Sequence, residues 1–142
     1  MKDIEIAVEL LEKEGLTLAV VKNGDLIYSS RDIGIKPLYT AYTQNMDLSG
    51  SSVADRVTGK AAAMICAERR IKELKTRVIS DNAINVLEGT DIVFNYDEST
   101  PYIKNRDKTG MCPVETLSLK TDNMDDLLEG IEKFLESISK KK

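Results

Sequence analysis

Apolar residues at the start of the chain fall at Ile4, Ala7, Val8 and Leu11, along one face of a helix. The spacing predicts a helix over residues 2–14, and Gly15 supplies its stop. The period then changes. Leu16 to Val21 (LTLAVV) is almost continuously apolar and partly β-branched, the pattern of a strand with both faces covered. Asn23-Gly24 tolerates positive φ at both positions and predicts a tight hairpin into a returning strand over Asp25–Ser29. Helical spacing resumes at Ile35, Leu38, Tyr39, Tyr42 and Met46, with Pro37 near the start. After the loop DLSGSS, residues 47–52, another helix is predicted from about Thr58. Its stripe is Met64, Ala67, Ile71 and Leu74, and the small side chains of Ala61, Ala62 and Ala63 let its first turns lie close against other backbone.

Beyond it, Arg77–Ser80 reads as a short strand. Ala83, Ile84, Val86 and Leu87 predict a short helix capped by Ser80 or Asp81 and closed by Gly89. Asp91–Tyr96 is the next strand. Asp97 to Gly110 has no regular period, and a connection of that length is often functional. Cys112–Leu119 fits a short helix or an edge strand. Asp122, with Asp125 three residues later, predicts the start of a final helix buried through Met124, Leu127, Leu128, Ile131, Leu135 and Ile138. The lysines at 140–142 are expected to fray. Strands alternating with helices imply right-handed crossovers and a partly parallel sheet. No repeat or linker divides the chain, so residues 1–142 are expected to form one domain.

Composition narrows the function classes. Apolar residues make up 42% and charged residues 31% of the 142 residues, ordinary globular proportions. A net charge of -4 argues against a broad nucleic-acid surface. No run of apolar residues is long enough to span a membrane. The acid-containing opening segment is not expected to be a signal peptide, and two distant cysteines do not make a disulfide framework, which together point to a cytoplasmic protein. Histidine is absent, which excludes Ser-His-Asp hydrolases, Cys-His proteases and His-ligated zinc. Two cysteines cannot supply a four-thiolate site, and no cofactor is implied.

Two strings are distinctive: SSVADRVTGKAAA at 51–63 and YIKNRDKTGMCPVE at 102–115. They resemble those of DUF1893, a family of unknown function in the cytidine deaminase-like superfamily, and the similarity covers nearly the whole chain. The resemblance implies an α/β fold, a three-layer α/β/α sandwich with a mixed sheet, and self-association into a homo-oligomer. Superfamily deaminases hold zinc through His or Cys at one helix start, followed by Ala-Glu, and through two cysteines of Pro-Cys-x-x-Cys at another. The corresponding strings here are Lys60-Ala61-Ala62 and Ser80-Asp81-Asn82-Ala83-Ile84. Cys112-Pro113 reverses part of the second motif, with Glu115 where a second thiol is wanted. An ammonium does not ligate zinc and a methyl does not carry a proton, so zinc-dependent hydrolytic deamination is excluded and no metal site is expected.

The remaining candidates gather at the same helix start. Lys60 stands just inside it after Gly59, where the helix dipole disfavours a cation. Either Lys60 and the amides of Val57 to Lys60 hold a phosphate or carboxylate, with Gly59 allowing close approach, or Lys60 pairs with Asp55 or another carboxylate. A desolvated Lys60 would also serve as a Schiff-base amine. Cys112, before Pro113 and three residues ahead of Glu115, is placed to cap a helix and carry a stabilised thiolate, or to pack as a small hydrophobe. Cys66 reads as a core thiol. Asp55 could orient Lys60, bind a ribose hydroxyl or cap. In a deaminase-like layout the long loop lies near the pocket, where Arg106 would clamp a phosphate and Tyr102 stack on a base. The reading reached is a pocket for a nucleotide or other anionic metabolite, with a phosphorylated small molecule as partner. The alternatives are a transferase or redox enzyme using Cys112 with Lys60, and a structural or regulatory subunit whose pocket is filled.

Overall fold

The computed structural model describes residues 1–105 and 107–139; Arg106 and the lysine tail lie outside them. The chain runs α1 (Asp3–Lys13), β1 (Leu18–Lys22), β2 (Asp25–Ser30), α2 (Lys36–Thr43), β3 (Ser52–Thr58), α3 (Lys60–Glu68), β4 (Glu73–Ser80), α4 (Asp81–Glu88), β5 (Val93–Thr100), α5 (Pro113–Ser118) and α6 (Met124–Ser139). The β1–β2 turn forms at Asn23 and Gly24, at φ 52° and 83°. Both of its amides donate to Asp3, so α1 pins the hairpin: Asn23 N–H to Oδ2 at 3.0 Å and Gly24 N–H to Oδ1 at 2.9 Å.

The sheet order is β2-β1-β3-β4-β5. β1 is antiparallel to β2 and β3, whereas β3, β4 and β5 run parallel, so the sheet is mixed. Alternation along β1 divides the core. Ala19 and Val21 join Ala54 against Ala7 and Leu11 of α1. Leu18 and Val20 join Val53 against α2, α3 and the later helices. One helix therefore covers one face and five pack on the other. No helix among the described residues is long and apolar enough to cross a membrane.

The elements depart from the sequence expectation at several points, and β5, expected over Asp91–Tyr96, runs Val93–Thr100 into the segment read as aperiodic. Residues 52–58 form the central strand β3, where the pattern predicted only the approach to a helix. The helix that follows starts at Lys60 and ends at Glu68, because Arg70 takes φ 55° and turns the chain. Ile71 and Leu74 keep helical spacing and are buried, yet they belong to the turn and to β4. β4 also starts earlier than predicted, at Glu73: charged Lys75 and Arg77 alternate with buried Leu74 and Thr76 and mask its period. The cap of α6 is Asn123, whose Oδ1 accepts the Asp126 amide at 3.2 Å, and not Asp122. Ser80 caps α4 as expected, accepting the Ala83 amide at 3.1 Å. The segment Cys112–Leu119 forms the helix α5, Pro113–Ser118, with its caps.

Candidate functional site

The parallel strands β3 and β4 deliver the starts of α3 and α4 side by side, and the loop after β5 brings α5 over them. Between these starts lies Glu115, from the first turn of α5 and only 2% exposed. Its Oε1 accepts the Lys60 amide at 2.8 Å and the Ser80 hydroxyl at 3.3 Å. Its Oε2 accepts the Ile103 amide at 2.6 Å. A carboxylate at a helix start answers both the open N–H groups and the dipole. Here the protein supplies that anion itself. Gly59 makes room for it: a Cβ there would stand 3.1 Å from Glu115 Oε1 and 3.2 Å from Ile103 Cγ1.

Lys60 is committed as well. Its Nζ donates to Asp122 Oδ1 at 2.9 Å and to the Thr121 carbonyl at 3.3 Å. Its side chain is 13% exposed, that of Asp122 95%. The partner is thus a carboxylate ahead of α6, and not Asp55.

Beside these groups opens a cavity of about 710 Å3. Its walls are mainly apolar, from Leu18 of β1, Leu38 of α2, Ala62 of α3, Val114 of α5, and Phe134 and Ile138 of α6. Asp55, Gly59, Lys60 and Cys112 all lie on its lining. Asp55 is half-buried. Its Oδ1 accepts the Arg56 amide at 2.8 Å and its Oδ2 the Thr58 hydroxyl at 3.3 Å. Burial pushes its carboxyl up to about 7, against these hydrogen bonds and the nearby Val57 amide, which pull it down.

Cys112 occupies the N-cap position of α5, but its side chain makes no capping hydrogen bond. Its amide donates to the Ile103 carbonyl at 2.8 Å, and its half-buried side chain packs against the core. Cys66 is buried in α3, where desolvation, with the Asp55 charge adding to it, raises its thiol to about 12. Tyr102 is half-buried and off the cavity lining; its carbonyl accepts the Thr100 hydroxyl at 3.2 Å. The expected role of Arg106 falls outside the described residues.

The donors at the two helix starts do not fit zinc. Lys60, Ala62, Ser80 and Asn82 offer neither imidazole nor thiolate, and the Glu115 carboxylate fills the space between the starts with its own hydrogen bonds. Among the described residues no three His, Cys, Asp or Glu gather as a metal group.

Sequence reasoning passed over Glu115 as the centre of this arrangement, and it missed two further lysines, Lys36 and Lys104, on the cavity lining besides Lys60. An acid at N3 after a proline is a common local feature. Its partner 55 residues away leaves no trace in local spacing. For the lysines the one available signal was their place, Lys36 opening α2 and Lys104 in the long loop.

Comparison with known proteins places the chain in a family. Residues 6–135 match the family model described as a domain of unknown function, DUF1893 (TM1506). No curated protein matches the chain. The fold is similar to the crystal structure of a DUF1893 family protein, TM1506, from Thermotoga maritima, at a TM-score of 0.84 and 30% sequence identity. That similarity covers 94% of this chain and 90% of the other. With nine-tenths of its length matched by the model and by a solved member alike, the chain belongs to the DUF1893 family.

Proposed function

We propose that the protein binds a nucleotide, or a related metabolite with an apolar body and an anionic group, in the cavity beside the start of α3. The observation that carries this reading is the cavity itself. About 710 Å3 with mainly apolar walls falls within the range of small-molecule sites, roughly 300–1,000 Å3. An open cavity of this kind favours a ligand over the structural-subunit reading, which calls for a filled one. The mixed sheet with adjacent starts of α3 and α4 supports the cytidine deaminase-like reading of the fold, without its zinc chemistry.

The anionic group belongs at the rim. The start of α3 already holds Glu115, and Lys60 already holds Asp122. Lys36 and Lys104 are exposed on the lining, and neither forms an ion pair among the described residues. Cys112 shares the cavity with Lys60, which is the observation behind a second reading, cysteine-dependent group transfer on the same ligand.

Calorimetric titration with nucleoside monophosphates and their parent nucleosides tests the proposal. The monophosphate should bind about tenfold more tightly, the worth of one charge-assisted contact. Replacing Lys36 and Lys104 together by alanine should remove that difference. Absence of binding by every monophosphate and nucleoside overturns the reading.

A further inference from the structure

The cavity lining carries polar groups as well as apolar walls. Asp55 stands on its lining at the middle of β3. No cation pairs with it among the described residues. Its neighbour Arg56 turns away, with Nε donating to the Leu16 carbonyl at 2.6 Å and Nη2 to the Leu11 carbonyl at 3.3 Å. Lys60 is taken by Asp122, and Glu115 by the Lys60 amide, Ser80 and Ile103. Asp55 is the carboxyl on this lining whose hydrogen bonds come from its own chain neighbours, Arg56, Val57 and Thr58.

We infer that Asp55 selects the ligand by accepting a pair of adjacent N–H donors: an amidine-like edge, in which a ring or imino N–H lies beside an amino group. Guanine, guanidines and ring-protonated aminopyrimidines present such an edge. The inference rests on the cavity reading and names the class of molecule the cavity takes. A carboxylate and such an edge form two parallel hydrogen bonds, which fix orientation as well as strength. Apolar walls strengthen that contact and leave a bare carboxylate poorly solvated, so a donor edge there replaces the water that burial removed.

The pH response follows from the surroundings. Burial holds the free carboxyl near 7. The Cys66 thiol of α3, raised to about 12, stays neutral beside it. Lys36 of α2 and Lys104 and Asp107 of the long loop stand exposed on the same lining, while Arg56, Lys60 and Glu115 are engaged as described. Between pH 6 and pH 8 the ionised fraction of Asp55 rises from about one-tenth to about nine-tenths, and a cationic donor edge should gain about tenfold in affinity.

Benzamidine carries this edge on a flat apolar ring, and acetophenone has a similar shape without donors. Both are titrated into the full chain at pH 6 and pH 8, and the amide signals of Ala61, Ala62 and Val114 are followed by NMR. Benzamidine should bind more tightly than acetophenone at pH 8 and about tenfold more weakly at pH 6. Asp55→Asn should remove most of that pH dependence, and the wild-type pH series stands alone if the variant fails to fold. Benzamidine binding that is equal at both pH values, or no tighter than acetophenone at pH 8, overturns the inference and leaves the cavity reading in place. If neither probe moves the cavity amides, the inference is overturned, and the nucleotide titration decides the cavity reading by itself.

Discussion

Glu115 Oε1 lies 2.8 Å from the amide nitrogen of Lys60, so a residue of α5 caps α3 from across the molecule. The same carboxylate holds Ser80 at the start of α4 and the Ile103 amide ahead of α5. One buried side chain therefore joins three segments. Glu115→Ala leaves the Lys60 and Ile103 amides without their acceptor and opens a cavity. A loss of about 2–4 kcal/mol is expected in urea unfolding, a value for breaking a buried charged hydrogen-bond group. Glu115→Gln, which keeps the shape but gives up the charge, should lose less.

Gly59 and Gly130 make a pair of opposite controls. At Gly59 an added methyl meets the fixed carboxylate of Glu115 at 3.1 Å. At Gly130, inside α6, it meets the terminal methyl of Leu117 at 3.2 Å, which can rotate aside. Gly59→Ala should lower the melting temperature by several degrees, from roughly 1–2 kcal/mol of crowding. Gly130→Ala should leave it unchanged or raise it, since alanine gains up to about 1 kcal/mol over glycine within a helix. Thermal unfolding of the two variants side by side is the measurement.

The contrast between these two sites shows what the sequence could convey. Periods of 2 and 3.6 made α1, the β1–β2 hairpin, α4 and α6 legible, since each rests on its own neighbours. β3 was hidden because Ser52–Thr58 mixes buried Val53, Ala54 and Thr58 with functional-looking Asp55 and Arg56. The helix stripe ran too far because Ile71 and Leu74 are buried for reasons of the sheet. Asp55, Gly59, Lys60 and Cys112 were each visible as unusual residues, and the fold brings all of them to one cavity. What they do to one another depended on Glu115 and Asp122, whose contacts cross 55 and 62 residues.

The Lys60–Asp122 pair should contribute little to stability despite its 2.9 Å separation. Asp122 is almost fully exposed, so water and salt screen the pair. A double-mutant cycle with Lys60→Met and Asp122→Ala should give a coupling below about 1 kcal/mol, smaller still in high salt. A coupling well above that would mean that the pair organises the start of α6.

The two thiols should separate cleanly under alkylation. Cys66 is buried, and its thiol is pushed up to about 12, so at neutral pH it is both shielded and protonated. Cys112 is half-buried on the cavity lining. Partial labelling with iodoacetamide at neutral pH, read by mass spectrometry, should modify Cys112 first. Labelling of Cys66 at the same rate would show that α3 opens readily in solution.

Asp55 should give the fold an unusual pH response. Its carboxyl is near 7 in the folded chain, above the ordinary range near 4 that it regains on unfolding. The folded state therefore holds a proton that the unfolded state has released, and stability falls as pH rises from about 4 through 7. Partial exposure of the side chain and relaxation around it reduce the effect to roughly 1–3 kcal/mol across that window. Asp47 has the opposite sign, lowered by its hydrogen bonds to Ser49 and Lys22, and acts only below the ordinary carboxylate range. Urea unfolding at pH 5.5 and pH 8 should show the wild type more stable at the lower value, against the trend set by paired carboxylates. Asp55→Asn, which cannot ionise, should be nearly level between the two and should exceed the wild type at pH 8. A wild type that is no less stable at pH 8, with a variant that tracks it, would show Asp55 to be ionised and well solvated throughout this range.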